Sequence, residues 1–240
     1  MQEIDGKWTI FGVDWNDPVC LHTVDEAIAY IKKVGFLPFF ANEIPGFSLE
    51  EHTASECWWG EDPSLDPWKW REVIARTGEI AYGKFFEKKT GFITKEWIPY
   101  FSNYRRDGYD FDALWEDGKA SYRQKKIMDV FDDDAELFSF EAKQMAGFGK
   151  GGEKNFEGTI TSLQMQMYLT MMDFQRKKNK LGKEYGWEVT IYSKPEHLWG
   201  YDFMASRYKE APEESFKKIA EHVKSTFPSA TEKQIRKVLK

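Results

Sequence analysis

Two glutamines one residue apart, Gln164 and Gln166, are a pair of neutral polar side chains that could act together. Each amide both donates and accepts hydrogen bonds. On a strand they would share a face, because side chains repeat every second residue. On a helix they would diverge by about 200° at 3.6 residues per turn. Tyr168, Thr170 and Phe174 give residues 164–175 a strand-like character, so a shared face is expected. A carboxylate partner could come from Glu87, Glu153 or Glu157, among which the sequence does not choose. The second chemical feature is basic. Arg176, Lys177, Lys178, Lys180 and Lys183 crowd one loop, and Lys150, Lys154, Arg105 and Arg106 lie in other turns and helix ends. Such side chains suit phosphate contact.

Other chemistries find little support. His22, His52, His197 and His222 are scattered, with no HExxH spacing, and Cys57 has no base beside it. Gly149-Lys150-Gly151-Gly152 lacks the phosphate-loop pattern and reads as a turn between helices. Asp132-Asp133-Asp134 lacks the spaced ligands and glycine of a calcium loop and reads as a solvated turn. No metal and no cofactor is expected.

The elements that must position these residues can be read from caps and periodicity. Thr23 with Glu26 opens a helix that stops at Gly35. Asp66 before Pro67 opens another, running from Trp68 to Thr77. Residues 80–93 read as two strands around Lys88-Lys89-Thr90-Gly91, and a helix from Thr94 to Arg106 follows. A start of helix is expected within 47–53, and a short strand over 7–15. Residues 121–131 form a basic amphipathic helix, 139–145 a short one, and 153–163 the next. Residues 164–175 and 185–193 are then two strands joined by the basic loop. A helix pair followed by a basic-tipped hairpin is a winged helix-turn-helix, whose second helix can enter a major groove while the loop sits on phosphate. Pro212 and Thr231–Gln234 begin two closing helices.

The fold class expected is therefore α+β, a winged helix in tandem, closed by a C-terminal helical hairpin. Residues 1–120 form an N-terminal α+β region with winged-helix-like features, 121–200 the winged helix, and 201–240 helices packed on the core.

Composition sets the limits. The 240 residues carry a net charge of −6, which argues against a general polyanion binder. The charge is uneven, however: residues 1–83 hold 6 basic and 15 acidic side chains, and residues 143–183 hold 8 and 3. A local basic patch can bind phosphates on an acidic protein. Aromatics make up 17% of the chain, a large core payload with some rings free to stack on a planar ligand. Two cysteines, no apolar run near 18 residues and an acidic N-terminus without a leader pattern suggest a reduced, cytoplasmic protein without a membrane partner.

Leu163-Gln164-Met165-Gln166 after the helix pair resembles the glutamine–hydrophobic–glutamine motif of the AlkZ/YcaQ family, bacterial DNA glycosylases built from tandem winged helices. In that family, however, the motif lies near the N-terminus. Nearly the whole chain also resembles an AlkZ-related bacterial group, through Asp66-Pro67-Trp68-Lys69-Trp70, Ala81-Tyr82-Gly83-Lys84-Phe85-Phe86, Tyr104-Arg105-Arg106-Asp107-Gly108-Tyr109 and Ala146-Gly147-Phe148-Gly149-Lys150. The resemblance implies DNA binding and hydrolysis of the N-glycosidic bond of alkylated bases, with Gln164 and Gln166 placing the water. Alkylation makes the base cationic, so it leaves without strong acid assistance, and a carboxylate would stabilise the oxocarbenium-like sugar. The alternatives are a non-catalytic winged-helix module that binds DNA or protein, and an enzyme with an aromatic pocket for a small ligand. The first reading expects both glutamines to face a basic concavity, the second expects them buried or on the far side, and the third expects an enclosed aromatic pocket distant from residues 176–183.

Overall fold

The computed structural model describes residues 2–4 and 7–240, with side chains from Thr9 onward; Met1, Asp5 and Gly6 lie outside the described residues. Two short strands, β1 (Gln2–Ile4) and β2 (Lys7–Thr9), pair with each other. Local side-chain chemistry starts several of the helices. Thr23 accepts from Glu26 N at the start of α1 (Val24–Val34), and Gly35 ends that helix at φ 81°. After β3 (Phe36–Pro38) and two 3₁₀ turns (Glu50–His52 and Ser55–Cys57), Asp66 caps α2 (Pro67–Arg76). The helix start expected within 47–53 is thus only a single 3₁₀ turn.

Strands β4 (Ile80–Phe86) and β5 (Lys89–Thr94) form a hairpin, followed by α3 (Ile98–Arg106) and α4 (Phe111–Glu116). Ser121 and Gln124 form a full capping box on α5 (Tyr122–Asp133). Then come β6 (Glu136–Phe138), α6 (Ser139–Met145), α7 (Phe156–Met165), β7 (Thr170–Lys178) and β8 (Glu184–Ser193). Four helices close the chain: α8 (Pro195–Trp199), α9 (Tyr201–Met204), α10 (Pro212–Thr226) and α11 (Glu232–Leu239).

One six-stranded antiparallel sheet, in the order β3-β5-β4-β7-β8-β6, organises the molecule. The order reads the same from either end: a short strand at the edge, then the second strand of a hairpin, then the first. Each half also repeats helix, edge strand, helical turn, helix, hairpin: α1-β3-3₁₀-α2-β4-β5, and then α5-β6-α6-α7-β7-β8. The proposed boundary at residue 120 falls between these repeats, and their strands share the sheet. The seam is thin, with one backbone register pair, Tyr82 opposite Met171. Side chains reinforce it from both sides. At the end of α2, Arg76 pairs with Asp173 and its Nη2 donates to Phe174 O (2.6 Å) on β7. Near the end of α7, Gln164 bonds to β4. Each repeat's second helix therefore clasps the other repeat's inner strand.

Aromatic residues of the first repeat pack densely around Phe39, with Trp59 left half exposed. Phe39 meets Phe40, Trp58, Trp68, Tyr82 and Phe92 at centroid distances of 4.8–6.1 Å. The same core runs on through Phe131, Ile160, Leu163 and Tyr168 to Ile219 and Leu239.

One expectation about the motif fails. Gln164 does not lie on a strand: α7 continues through Met165, Gln166 caps it, and Met167 turns the chain at φ 65° before β7 begins at Thr170. The helix holds because Leu163 and Gln164 are fully buried on the side packed against the sheet. Tertiary burial outweighs the alternating pattern that mimics a strand. The helix also begins at Phe156, three residues later than the turn at Glu153 suggested.

Candidate functional site

The helical geometry sends the two glutamine side chains to different places. Gln164 Oε1 accepts from Lys84 N (3.0 Å), and Nε2 donates to Ile160 O (3.1 Å). The ladder between β4 and β5 shifts register between Gly83 and Phe86, so the glutamine supplies the bond that the neighbouring strand omits at Lys84. Gln166 turns towards α5 and accepts from Gln124 Nε2 (2.8 Å). Both amides are engaged inside the fold, and neither lines a shared concavity.

The face of α7 next to Gln164 does line one. A cleft of about 1090 Å³ opens between α7, the β4–β5 turn and the end of α11. Glu157, Thr161 and Met165, spaced by four, form its α7 wall, with Gly158 and Ser162 between them. Lys84, Glu87 and Lys88 form the strand wall, and Lys237 and Lys240 the third. Lys84 Nζ donates to Thr161 Oγ1 at 3.1 Å. Lys84 is thus held twice by α7: its backbone by Gln164 and its amine by Thr161. Lys237 pairs with Glu43 and reaches Glu87 at 3.8 Å. Lys84, Lys88, Lys240 and Glu157 have no ion pair among the described residues. Two of the three carboxylates proposed from sequence, Glu87 and Glu157, therefore meet here. The third, Glu153, is bound by Arg123 (3.0 Å) and Lys126 (3.4 Å), and the Arg123 hydrogen bond lowers its pKa.

The basic residues separate into two groups. Lys178, Lys180 and Lys183 stand exposed on the β7–β8 hairpin without ion pairs among the described residues. Arg176 pairs with Glu188 (3.1 Å) and Lys177 lies over the Phe140 ring at 4.2 Å. Beside them Leu181, Tyr185 and Trp187 are 92%, 53% and 87% exposed. Lys150 and Lys154 are exposed around the glycine turn.

Arg105 and Arg106 instead point inwards. Arg106 is buried against Glu196, Tyr208 and Met167 O. Arg105 donates to Phe85 O and Leu239 O behind the cleft wall, and burial without a carboxylate pushes its pKa down to about 9. Arg105 Nη2 and both Arg106 Nη atoms donate within the fold, while Arg105 Nε and Nη1 and Arg106 Nε are buried without a hydrogen-bond partner among the described residues, so neither side chain reaches a surface open to a phosphate backbone.

Sequence reasoning did not select Lys84, Thr161, Lys237 or Lys240. The available signal was Lys84 itself, a cation in the middle of the apolar strand Ile80-Ala81-Tyr82-Gly83-Lys84-Phe85-Phe86. No helix among the described residues is long and apolar enough to cross a membrane.

A mixed α/β protein with one fused antiparallel sheet and a lysine–carboxylate cleft is the class that the fold and cleft define. The AlkZ-related family profile matches residues 21–240, and the chain belongs to that family. No curated protein and no solved structure matches the chain.

Proposed function

We propose that this protein binds DNA and hydrolyses the N-glycosidic bond of alkylated bases, with the cleft beside α7 as its active site. The observation that carries the reading is a carboxylate, Glu157, without an ion pair among the described residues, in a roomy cleft that also holds lysines in the same state. The cleft volume suits a flipped nucleotide, since ligand sites run to roughly 300–1,000 Å³. Lys88 and Lys240 would meet flanking phosphates, and Glu157 would stabilise the positive sugar and direct the water. Gln164 then acts as a positioning residue, fixing the strand that carries Lys84.

The architecture supports DNA binding. Each repeat has the element order of a winged helix, with its edge strand paired to the hairpin's second strand, so the pair reads as tandem winged helices fused at β4 and β7. The β7–β8 hairpin is the basic wing, with Lys178, Lys180 and Lys183 available to phosphate and Trp187 to a base.

The test is release of alkylated bases from duplex DNA by the wild type and by Glu157→Gln. The wild type should release base, and the variant should be slower by about 10²-fold or more. The internal bonding of both glutamine amides favours a second reading, a non-catalytic DNA-binding module. Salt-dependent binding with no release across several alkyl lesions would establish that reading instead.

A further inference from the structure

Lys84 is a cleft-lining amine without a carboxylate partner among the described residues, anchored through both its backbone and its Nζ. On a strand whose other residues are almost all apolar or aromatic, that placement needs a reason. A surface lysine swings freely on its four-carbon stem. This one is half-buried, its Nζ is tethered to Thr161 Oγ1 at 3.1 Å, and its backbone N–H is taken by Gln164 at 3.0 Å. Glu157 lies one turn before Thr161 on the same face of α7. Lys88, Lys237 and Lys240 line the same cleft, together with Glu87 and Glu157, and Lys237 is held by Glu43 and Glu87. A lysine amine held in place within a cleft can attack a carbonyl carbon and form a Schiff base.

We propose that Lys84 is a nucleophile for the aldehyde of an abasic deoxyribose, giving the protein a strand-cleaving lyase activity in the same cleft. This rests on the DNA reading above and assigns the substrate class of that site. Nζ, after giving its extra proton to water, attacks C1′ of the ring-opened sugar; the C–N bond forms as the carbonyl π pair moves onto oxygen, which takes up a proton while the nitrogen loses one. The carbinolamine oxygen takes a proton and leaves as water, giving an iminium. The Glu157 carboxylate then removes a proton from C2′. The C2′–C3′ double bond forms as the C3′–O bond breaks, and the 3′ phosphate departs on its strand. Hydrolysis of the unsaturated iminium returns the free amine and leaves the sugar as an unsaturated aldehyde on the 3′ end of the upstream strand. No electron acceptor or donor is needed. Thr161, by accepting one Nζ hydrogen, aims the lone pair, and so is a positioning residue.

The experiment is borohydride trapping on an end-labelled duplex with a single abasic site, read as a covalent protein–DNA band on a denaturing gel. Binding of the same duplex is measured in parallel by anisotropy. The wild type should give a trapped band, and peptide mass mapping should place the adduct on Lys84. Lys84→Gln and Lys84→Arg should bind the duplex within about threefold of wild type and trap less than a hundredth as much. Thr161→Val, which keeps shape and loses the hydroxyl, should trap several-fold less at unchanged binding and with a melting temperature close to wild type. Wild-type binding without a trapped band overturns the lyase assignment and leaves the DNA reading standing. Failure of the wild type to bind either abasic or alkylated duplex overturns both. An adduct that persists in Lys84→Arg, or maps to Lys88 or Lys240, overturns the assignment to Lys84.

Discussion

Replacing Gln164 with methionine tests whether its amide holds the fold together or waits for a water. The side chain is fully buried, and methionine nearly matches its volume, so the cavity term is small. What is lost is two hydrogen bonds, one from Lys84 N and one to Ile160 O. Ile160 O sits in helical register with Gln164 N and keeps that backbone bond. Lys84 N falls at the shifted part of the β4–β5 ladder and has no replacement acceptor, so a donor is orphaned. Leaving a buried donor unsatisfied costs about 1–3 kcal/mol. For a chain of this size that corresponds to a fall of roughly 2–12 °C in melting temperature. Thermal unfolding by circular dichroism, with denaturant titration as a check, reads the loss directly. Gln166→Met should lose less, about 0.5–1.5 kcal/mol, because its single bond to Gln124 lies nearer solvent. A Gln164→Met protein that melts within 1 °C of wild type yet loses base release would refute the reasoning. It would return the amide to the role of water carrier.

Converting Lys178, Lys180 and Lys183 together to glutamine should leave melting unchanged, because all three are exposed. The slope of log binding against log salt on duplex DNA should become shallower by up to about 2.7. Trp187→Ala should be near neutral for stability and cost about 1–3 kcal/mol in binding single-stranded or distorted DNA, measured by anisotropy. Arg106→Met should destabilise by about 3–5 kcal/mol in urea titration, because it strips Glu196, Met167 O and the Tyr208 hydroxyl of their shared donor.

The helix starts were legible because their signals are local: Thr23, Asp66, Ser121 and Thr231 all accept from a backbone N–H within three residues. The basic hairpin was legible for a similar reason, as strand-like runs at 164–175 and 185–193 around a basic loop at 176–183, although β7 starts only at Thr170 and carries Arg176, Lys177 and Lys178 within the strand. The motif was misread because Leu163-Gln164-Met165-Gln166-Met167 alternates like a strand, whereas burial against β4 keeps it helical. Arg105 and Arg106 resembled a surface patch because nothing near them in sequence announces Phe85 O, Leu239 O or Glu196 as partners. The cleft was the least legible feature. Its walls come from residues 84–88, 157–165 and 237–240, and only the shared sheet and the closing helices bring them together.

The seam at Tyr82 and Met171 also makes β7 a ruler. From Met171 to Lys178 the strand runs seven residues, at most about 23 Å at 3.3 Å per residue. Tyr82 lies two residues from Lys84, so one end of that length is fixed beside the cleft and the other at the basic tip. On B-form DNA, which rises about 3.4 Å per base pair, the span corresponds to some six or seven base pairs. Chemical footprints should therefore show two protected patches at about that spacing, and shortening β7 by two residues should draw them closer without shifting the reactive base.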